Sequence, residues 1–575
     1  MNAEQLLQHF ERISEAPDAI PSLRRFILNL AVRGKLVEQD PSDEPASELL
    51  KRIEVEKARR VKEGSLRQQS PLPPVKSEEV EFDLAQGWQW VRMSEVIKLW
   101  NGFAFKSGDY QSSGVPVVRI GDLQGGEVDI SGVVRVSEMV AKQVSHEVWI
   151  PPDALLIAMS GATTGKTAFN RTRTQLLLNQ RVGRIEVFVM NIEFLRFFFE
   201  TIVAKNLSIS FGTAIPNLSA QQINETVVPL PPLAEQQLIV AKVDELMSLC
   251  DLLEEAKKER EQCRDSLVAA SLQGLNQPAE EEESFRQHAR FTFTNLPRIT
   301  TRTTHIKQLR QTILNLAVRG KLVEQNPSDE TAINFLNRIA AEKVRPRTIT
   351  KAIKGNVFLA PEETPFSIPA SWEWACFADY ALDISTGPFG SALHQSDYVL
   401  NGIPLVNPSH MIKDKIRPDP KVSVSNKTAE RLEGYRMKEG DIVMARRGEV
   451  GRAALVTKKE VGWLCGTGSF FVSFTKEVHR DHILLLLRSE LVRSYLSGKA
   501  IGTTMTNLNH GILKKMPLPI PPLAEQHRIV AKVDELMAIC DQLEAQITAT
   551  EQDSGRFLES VLADALAPGI ECNHH

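Results

Sequence analysis

The segment that comes nearest to a catalytic motif is a glycine-bearing turn at residues 161–167, with the sequence GATTGKT. A lysine and a threonine after such a turn bind nucleotide phosphates in the pattern GxxxxGK[ST], in which backbone amides surround the phosphate oxygens. Here three residues separate the two glycines, one fewer than the pattern requires. The turn is therefore not predicted to bind ATP.

Sequence signals for methyl transfer, hydrolysis and metal binding are also missing. The Pro-Pro pairs at 151–152 and 231–232 lack the polar and aromatic neighbours of an adenine methyltransferase strand end. None of the 12 histidines lies in an HExxH motif, and the six cysteines form no CxxC pair. We therefore expect no catalytic residue, no metal and no cofactor in this chain.

Nucleic-acid binding is the chemistry that the basic residues favour. The stretch 154–185 holds five Lys or Arg residues and no acid, and a second cluster surrounds residues 446–452. Lys and Arg bind phosphates, whereas Arg, Asn, Gln, Ser and Thr also read base edges. A solvated basic loop is the alternative for each candidate. The predicted DNA contacts are Lys106, Arg119, Ser160, Thr163, Thr164, Lys166, Arg171, Arg173, Asn179, Gln180, Arg181, His410, Lys413, Arg446, Arg447, Glu449, Arg452 and Asn507.

The net charge of -4 does not oppose this prediction, because the charge is distributed unevenly. Residues 82–229 contain 13 Lys and Arg against 13 Asp and Glu, and residues 366–519 contain 20 against 15. The acidity therefore belongs to the segments outside these two blocks, and the overall charge says little about DNA affinity.

An internal repeat arranges the basic segments into two halves. NLAVRGKLVEQ occurs at residues 29–39 and at 315–325, while PPLAEQ occurs at 231–236 and at 521–526, each time shortly before IVAKVDELM. Both pairs have nearly the same offset, so each half consists of a repeat element, a variable block and a second repeat element. A smaller number of identical residues also recur inside the variable blocks, for example Trp88 and Trp372, and they indicate that both blocks share one fold.

The second repeat element has the apolar spacing of a long helix with a heptad seam. Its narrow stripe favours an antiparallel coiled coil between the two copies. A helix that covers the core of its own domain is the alternative, although such a helix normally has a wider stripe. The predicted seam residues are Ile239, Val243, Leu246, Cys250 and Leu253 in the first copy and Ile529, Val533, Leu536, Cys540 and Leu543 in the second.

The first repeat element begins as a helix, and Gly34 and Gly320 are placed to end it. A second short helix is predicted near residues 47–57. The identical Arg-Gly-Lys turn in both copies suggests that one kind of partner docks twice, although a plain helix stop with solvated charges fits equally well. The predicted partner-binding residues are Arg33, Lys35, Leu36, Arg319, Lys321 and Leu322.

Length and composition agree with a multidomain globular chain. A chain of 575 residues exceeds one hydrophobic core, and 42% hydrophobic with 24% charged residues is ordinary for a globular protein. The first 15 residues lack the basic start of a signal peptide, and the cysteines are scattered, so we expect a cytoplasmic protein. Residues 273–304, which include an acidic run, are predicted to be a linker.

The order of these elements, with NLAVRGKLVEQ, PSDE and PPLAEQ before IVAKVDELM, resembles the specificity subunit of type I restriction–modification systems. The resemblance implies an α+β fold, with two mixed α/β target recognition domains separated by a two-helix antiparallel coiled coil, in a pseudo-twofold tandem duplication. The implied boundaries are residues 1–81 for the first helical repeat, 82–229 for recognition domain 1, 230–272 for spacer helix 1, 273–365 for the linker and second helical repeat, 366–519 for recognition domain 2, and 520–575 for spacer helix 2 with its tail.

The same resemblance implies a non-catalytic function. Each recognition domain would read one half of a bipartite site in double-stranded DNA, and the spacer would fix the gap between the halves. Two methyltransferase subunits would bind S-adenosylmethionine and methylate adenine N6, and motor-nuclease subunits would bind ATP and Mg. Two alternatives stay open, a self-contained modification–restriction enzyme and a protein scaffold that binds no DNA.

Overall fold

The computed structural model describes residues 16–67, 72–161, 164–209, 218–276, 282–344, 364–412, 414–447, 451–499 and 508–566. The chain folds into two compact units. The first consists of residues 1–259 and 551–575, and the second of residues 260–550. No helix in the described ranges is long and apolar enough to cross a membrane.

The first unit begins with two amphipathic helices, α1 (Ala19–Val32) and α2 (Ala46–Lys62). Gly34 follows α1 with a φ of +66°, the left-handed conformation that favours glycine, and a Cβ there would meet the Cβ of Ala85 at 2.7 Å. The predicted helix stop at Gly34 is confirmed. Helix α2 is longer at both ends than the segment 47–57 that the sequence predicted.

The block after α2 is a mixture of short helices and short strands. Its helices are α3 (Met93–Val96), α4 (Glu138–Gln143), α5 (Ile192–Ile209) and α6 (Ala220–Glu225). Its strands are β1 (Gln89–Arg92), β2 (Ile97–Asn101), β3 (Tyr110–Gln111), β4 (Val115–Val118), β5 (Leu123–Gln124), β6 (Glu127–Val128), β7 (Arg135–Val136), β8 (Trp149–Ile150), β9 (Leu155–Ala158), β10 (Thr167–Phe169), β11 (Leu176–Leu178), β12 (Val182–Val187) and β13 (Val227–Leu230).

These strands form two larger sheets and a closing ribbon. One sheet has the order β2-β12-β9-β10-β6-β5 and the other the order β3-β7-β4-β11-β8. All residues of β9 and β11 are buried, which explains their uninterrupted apolar sequences. The antiparallel ribbon of β1 and β13 pairs Gln89 with Leu230, so the start and the end of the block meet.

The second unit contains α8 (Glu282–Ile299), α9 (Thr303–Val318), α10 (Ala332–Val344), α11 (Phe377–Tyr380), α12 (Asn426–Arg431), α13 (Arg480–Arg488), α14 (Glu490–Lys499) and α15 (His510–Lys514). Its strands are β14 (Glu373–Cys376), β15 (Asp383–Thr386), β16 (Tyr398–Val399), β17 (Ile403–Val406), β18 (Met411–Ile412), β19 (Lys415–Ile416), β20 (Ser423–Val424), β21 (Ile442–Ala445), β22 (Ala453–Leu455), β23 (Leu464–Cys465), β24 (Ser469–Ser473) and β25 (Pro517–Ile520).

The strand order of the second unit repeats that of the first. The sheet β15-β24-β21-β22 corresponds to β2-β12-β9-β10, and the sheet β16-β20-β17-β23 corresponds to β3-β7-β4-β11. The ribbon of β14 and β25 pairs Glu373 with Ile520, as β1 and β13 pair Gln89 with Leu230. The prediction of two mixed α/β domains with one fold is therefore confirmed.

Helix α8 corrects the prediction that residues 273–304 are a linker. Phe285 and Ala289 of α8 pack against the hydrophobic core of the second unit. The acidic run just before α8 resembled a solvated connector, but a helix that buries only part of its surface needs few apolar residues. Composition alone therefore misassigned this segment.

Two helices of 44 residues, α7 (Leu233–Asn276) and α16 (Leu523–Leu566), follow the Pro-Pro pairs at 231–232 and 521–522. Proline fits at a helix start, where its missing N–H leaves no bond unmade. Each helix contributes to both units. The first contains α7 up to residue 259 and α16 from residue 551, and the second contains the remaining part of each helix.

The seam residues of these helices are buried in the core of their own unit. Ile239, Val243 and Cys250 lie in the cluster that includes Ile27 and Leu28 of α1, and Leu246 packs against it in part. Leu253 is 39% exposed. The stripe of α7 thus packs at least in part against the first repeat element.

The second copy has the same arrangement. Ile529, Val533 and Cys540 lie in the core cluster of the second unit, which also includes Leu309 and Ile313 of α9. Leu536 and Leu543 pack against that cluster. The same cluster also contains Val268, Leu272 and Leu275 of α7, so both long helices contribute to it, and the pairing of one seam with the other stays a prediction.

Candidate nucleic-acid interface

A buried carboxyl group joins the first recognition domain to its repeat elements. The indole Nε1 of Trp88 donates a hydrogen bond to Oε2 of Glu235 over 2.8 Å, and Nε2 of Gln39 donates to Oε1 over 3.1 Å. Glu235 is 2% exposed, and this burial raises the pKa of its carboxyl group. One side chain at the start of α7 thus holds the domain and the first repeat element together.

The second unit contains the same cluster. Trp372 donates to Glu525 over 2.9 Å and Gln325 donates to it over 2.6 Å, and burial raises the pKa of the Glu525 carboxyl group. The tryptophans and the repeated motifs are visible in the sequence, but their common role becomes clear only in the structure. The sequence contained a signal for this cluster, because the glutamine, the tryptophan and the glutamate are each identical in the two halves.

The Arg-Gly-Lys turns are held by contacts within their own units. The guanidinium of Arg33 lies over the ring of Phe82, with 4.8 Å from Cζ to the ring centroid, and that of Arg319 lies over Phe366 at 4.9 Å. Lys35 donates to the carbonyl oxygen of Leu566 over 3.2 Å. A cation at this position satisfies a carbonyl at the C-terminal end of a helix.

The corresponding contact in the second unit uses the arginine of the turn. Arg319 donates to the carbonyl oxygen of Asn276, the last residue of α7, over 2.5 Å, while Lys321 lies over the ring of Phe285. Leu36 and Leu322 pack against the cores of their units. These contacts show that both turns pack within their own units, and the docking of a partner at these residues stays a prediction.

Each recognition domain presents a basic hairpin at the same place in its sheet. In the first domain, residues 159–166 connect β9 to β10, and in the second, residues 446–452 connect β21 to β22. Gly165 has a φ of +85° and Gly451 a φ of +87°, and a cation follows each, Lys166 and Arg452. The two hairpins thus share a backbone turn that only glycine adopts readily.

Several of the predicted DNA contacts in the first domain are exposed. Lys166, Arg173 and Arg181 are exposed and form no ion pair within the described part of the chain. Lys106, Arg119 and Gln180 are also exposed. Ser160 is partly buried, and its Oγ has no hydrogen-bond partner in the structure. Their contact with DNA stays a prediction.

Other predicted contacts of the first domain have internal roles, which corrects their assignment. Arg171 pairs with Asp153 at 2.7 Å and with Glu193 at 3.0 Å, so acids neutralise its charge. Buried Thr164 donates to the carbonyl of Gly161 over 2.7 Å.

Asn179 is buried as well. Its amide donates to Tyr110 over 3.3 Å, and its Oδ1 accepts from the backbone N–H of Arg181 over 3.2 Å. Asn179 therefore shapes the loop that presents Gln180 and Arg181 rather than reading bases itself.

In the second domain, Arg447 is exposed and Arg446 is partly buried. Arg446 donates through Nε to the carbonyl of Leu508 over 3.2 Å, and Arg452 donates to the carbonyl of Pro408 over 3.3 Å. His410 is 7% exposed, and its Nδ1 lies 3.0 Å from the carbonyl oxygen of Leu405, so its assignment as a DNA contact is corrected. Four further predictions, Thr163, Lys413, Glu449 and Asn507, lie outside the described residues.

The family of the chain follows from comparison with known proteins. The family model described as "Type I restriction modification DNA specificity domain" matches residues 85–261 and 394–550, more than half of the chain. The chain belongs to this family. Each match covers all or most of one recognition domain and the beginning of its long helix, so this specificity chain contains the family's domain twice. The family is one of DNA specificity, not of catalysis.

Relatives of similar length extend the comparison. The EcoAI specificity subunit of Escherichia coli is 29% identical over 571 residues, which cover 95% of this chain and 93% of that protein. The EcoEI specificity subunit of Escherichia coli is 29% identical over 572 residues, with the same coverage.

Solved structures also resemble the chain. The HsdS subunit of Thermoanaerobacter tengcongensis is 18% identical, with a TM-score of 0.42, over 85% of this chain and 98% of that one. A chain from a study of complex assembly in a type I R-M system is 19% identical, with a TM-score of 0.47, over 84% of this chain and 99% of that one.

Proposed function

We propose that this specificity chain reads a bipartite site in double-stranded DNA, with one recognition domain on each half-site. The observation that carries the proposal is the pair of equivalent hairpins, each with cations next to a left-handed glycine, in two domains of the same fold. Exposed Lys and Arg on such hairpins suit the phosphates and base edges of a duplex. Different side chains on the same scaffold would give each domain its own half-site.

The distribution of charge supports this proposal and predicts that the two recognition domains contribute unequally to the affinity for DNA. The first recognition domain is neutral and the second has an excess of five positive charges. Phosphate contacts release counterions, so affinity for DNA falls steeply with salt. We expect the second domain to supply the larger part of the salt-dependent affinity.

Two long helices suit the role of a spacer. Because α7 and α16 each contribute to both units without a break, a change in their length would be transmitted to both domains. Linking two weak binding domains makes the second binding step intramolecular, which raises the overall affinity without any new contact. Both half-sites must then have the correct separation, which adds specificity.

Other subunits would carry out the chemistry. The proposed partners are two methyltransferase subunits, which would bring S-adenosylmethionine, and motor-nuclease subunits, which would bring ATP and Mg. Within the described residues, no group of three or more His, Cys, Asp or Glu could hold a metal ion. The chain itself would supply the DNA target and the framework on which these partners assemble.

Exchange of one recognition domain tests the proposal. Residues 82–229 are replaced by the corresponding block of a specificity subunit with a different target, and modified adenines are mapped in cells that contain the methyltransferase subunits. The expected result is a change in one half-site while the other half-site and the gap are retained. An unchanged motif refutes the assignment of the domain.

A salt titration separates DNA recognition from the protein-scaffold alternative. The purified chain is mixed with duplex DNA, and the dissociation constant is measured at increasing salt. DNA recognition predicts a steep linear fall of log affinity with log salt. A scaffold that binds only protein predicts no measurable affinity at any salt concentration.

A further inference from the structure

In both recognition domains, an exposed phenylalanine follows shortly after an equivalent strand. Phe103 follows β2 and is 44% exposed, and Phe389 follows β15 and is 62% exposed. Single exposed apolar residues are ordinary on protein surfaces. Here, however, an exposed phenylalanine lies close behind the equivalent glycine in both domains, one residue after Gly102 and two residues after Gly387, so a shared role is indicated.

The backbone that presents these phenylalanines is fixed by a glycine. A Cβ on Gly102 would lie 2.0 Å from the carbonyl oxygen of Asn179, and a Cβ on Gly387 would lie 2.0 Å from that of Gly466. No other residue type fits at either place, because the neighbouring atom is backbone. Both turns are thus locked against the loop that follows the equivalent strands β11 and β23.

Backbone hydrogen bonds hold Phe103 on both sides. Its N–H donates to the carbonyl of Leu178 over 2.8 Å, and its carbonyl accepts from the N–H of Gln180 over 3.0 Å. The ring of Phe103 meets the buried ring of Phe105 edge-to-face at 5.1 Å. A rigid turn therefore points an apolar ring outwards, which reduces the entropy lost when the ring binds a ligand.

Residues that suit DNA binding follow on the loop beside Phe103, and one cation lies beside the ring of Phe389. Gln180 and Arg181 follow directly on the loop that contacts Phe103, and Arg181 accepts a backbone hydrogen bond from Met159 at the start of the basic hairpin. In the second domain, the guanidinium of Arg446 lies 6.0 Å from the centroid of the Phe389 ring. An apolar ring among phosphate-binding cations matches the chemistry of a nucleobase flanked by phosphates.

We propose that Phe103 and Phe389 are specificity residues that place their rings against nucleobases of the DNA, one in each half-site. This inference rests on the proposed function. The apolar contact is made with the face of a base or with the methyl group of thymine, neither of which a charged side chain reads. The cations beside each ring bind the flanking phosphates, and the phenyl ring adds discrimination between bases.

Selection from a pool of randomised duplex DNA tests the inference with the full-length chain. Phe103→Ala and Phe389→Ala are compared with wild type and with Met139→Ala and Leu400→Ala, which remove exposed apolar side chains at 70% and 67% exposure from other elements of the same domains. We expect each Phe variant to lose base preference at one or two positions of one half-site only. Its dissociation constant for the selected site rises about tenfold, in the range of a base–aromatic contact.

The salt dependence identifies the kind of contact that is lost. Loss of a phenyl ring removes no phosphate contact, so the slope of log affinity against log salt stays at its wild-type value. Phe103→Leu retains apolar bulk and is expected to recover much of the affinity, which separates a lost DNA contact from a misfolded domain. The two control variants are expected to bind like wild type.

The outcomes distinguish this inference from the function on which it rests. If wild type enriches no bipartite motif, the proposed function fails and the inference fails with it. If wild type enriches a motif and both Phe→Ala variants enrich the same motif with dissociation constants within twofold of wild type, only the role of the phenylalanines is overturned.

Discussion

Replacement of Trp88 by Phe is expected to destabilise the first unit, because it removes a donor from a buried carboxyl group. Trp88 is 8% exposed and its indole N–H lies 2.8 Å from Glu235, whose second oxygen is bound by Gln39. A buried acceptor that loses its partner costs about 1–3 kcal/mol. The space left by the smaller ring adds roughly 1 kcal/mol.

The expected loss is therefore about 2–4 kcal/mol in the free energy of unfolding, or roughly 3–8 °C in the melting temperature of a unit of this size. Calorimetry of the full chain measures it. Trp90→Phe is the matched control, because the indole of Trp90 is partly buried, its ring centroid lies 4.9 Å from that of Phe82, and its N–H forms no hydrogen bond within the described part of the chain.

A double-mutant cycle between Trp88→Phe and Glu235→Gln isolates the contact itself. We expect a coupling free energy of about 1 kcal/mol or more. The equivalent change Trp372→Phe should destabilise the second unit by a similar amount, because the indole Nε1 of Trp372 donates a hydrogen bond to Oε2 of Glu525 over 2.9 Å. Strictly additive mutations, or a Trp88→Phe protein as stable as the Trp90→Phe control, would refute this reasoning.

Three further predictions follow from the packing of the two units. Burial lowers the pKa of His482 to about 3, and neither ring nitrogen has a hydrogen-bond partner among the described residues. The neutral imidazole therefore contributes its full stability above the ordinary histidine pKa of about 6.5, and this contribution is lost as the pH falls towards 3. His482→Phe should remove this loss in acid-unfolding curves. The substitution introduces the residue type of Phe194, which is the third residue of the equivalent helix α5. Arg319→Ala removes a bond to the end of α7 and the cation over Phe366, so a decrease of about 1–2 kcal/mol in unfolding free energy is expected in urea titrations, with DNA affinity unchanged. Inserting seven residues after Glu259 and after Thr550 lengthens each long helix by about 10 Å, and adenine mapping should then show a gap about three base pairs longer, whereas an unaltered gap contradicts the spacer role.

Local signals in the sequence predicted the helix ends and the duplication correctly. Gly34 ends α1 in the left-handed conformation, and α7 and α16 begin directly after their Pro-Pro pairs. These features depend on the backbone preferences of one or two residues, so they can be predicted without knowledge of the rest of the fold. The shared fold of the two blocks was predicted because the same framework residues recur in each half.

The exposure and pairing of individual site residues could not be predicted from the sequence, since both depend on residues far away in the chain. Arg171 and Arg173 look equivalent in the sequence, yet only Arg171 meets an acid, Glu193, contributed by the next helix. The exposed phenylalanines were missed for a related reason. A Gly-Phe or Gly-Pro-Phe sequence does not reveal whether the ring turns inwards or outwards.

The sequence alone determined the family, the tandem halves and the positions of the two long helices, because repeats and helix ends depend on short, local stretches of residues. Tertiary structure decided what the apolar stripe of each long helix covers, which unit receives its end and which cations remain exposed. An apolar stripe specifies only that it must be buried. The neighbour that buries it is selected by the packing of the whole unit, as Ile239 against α1 illustrates.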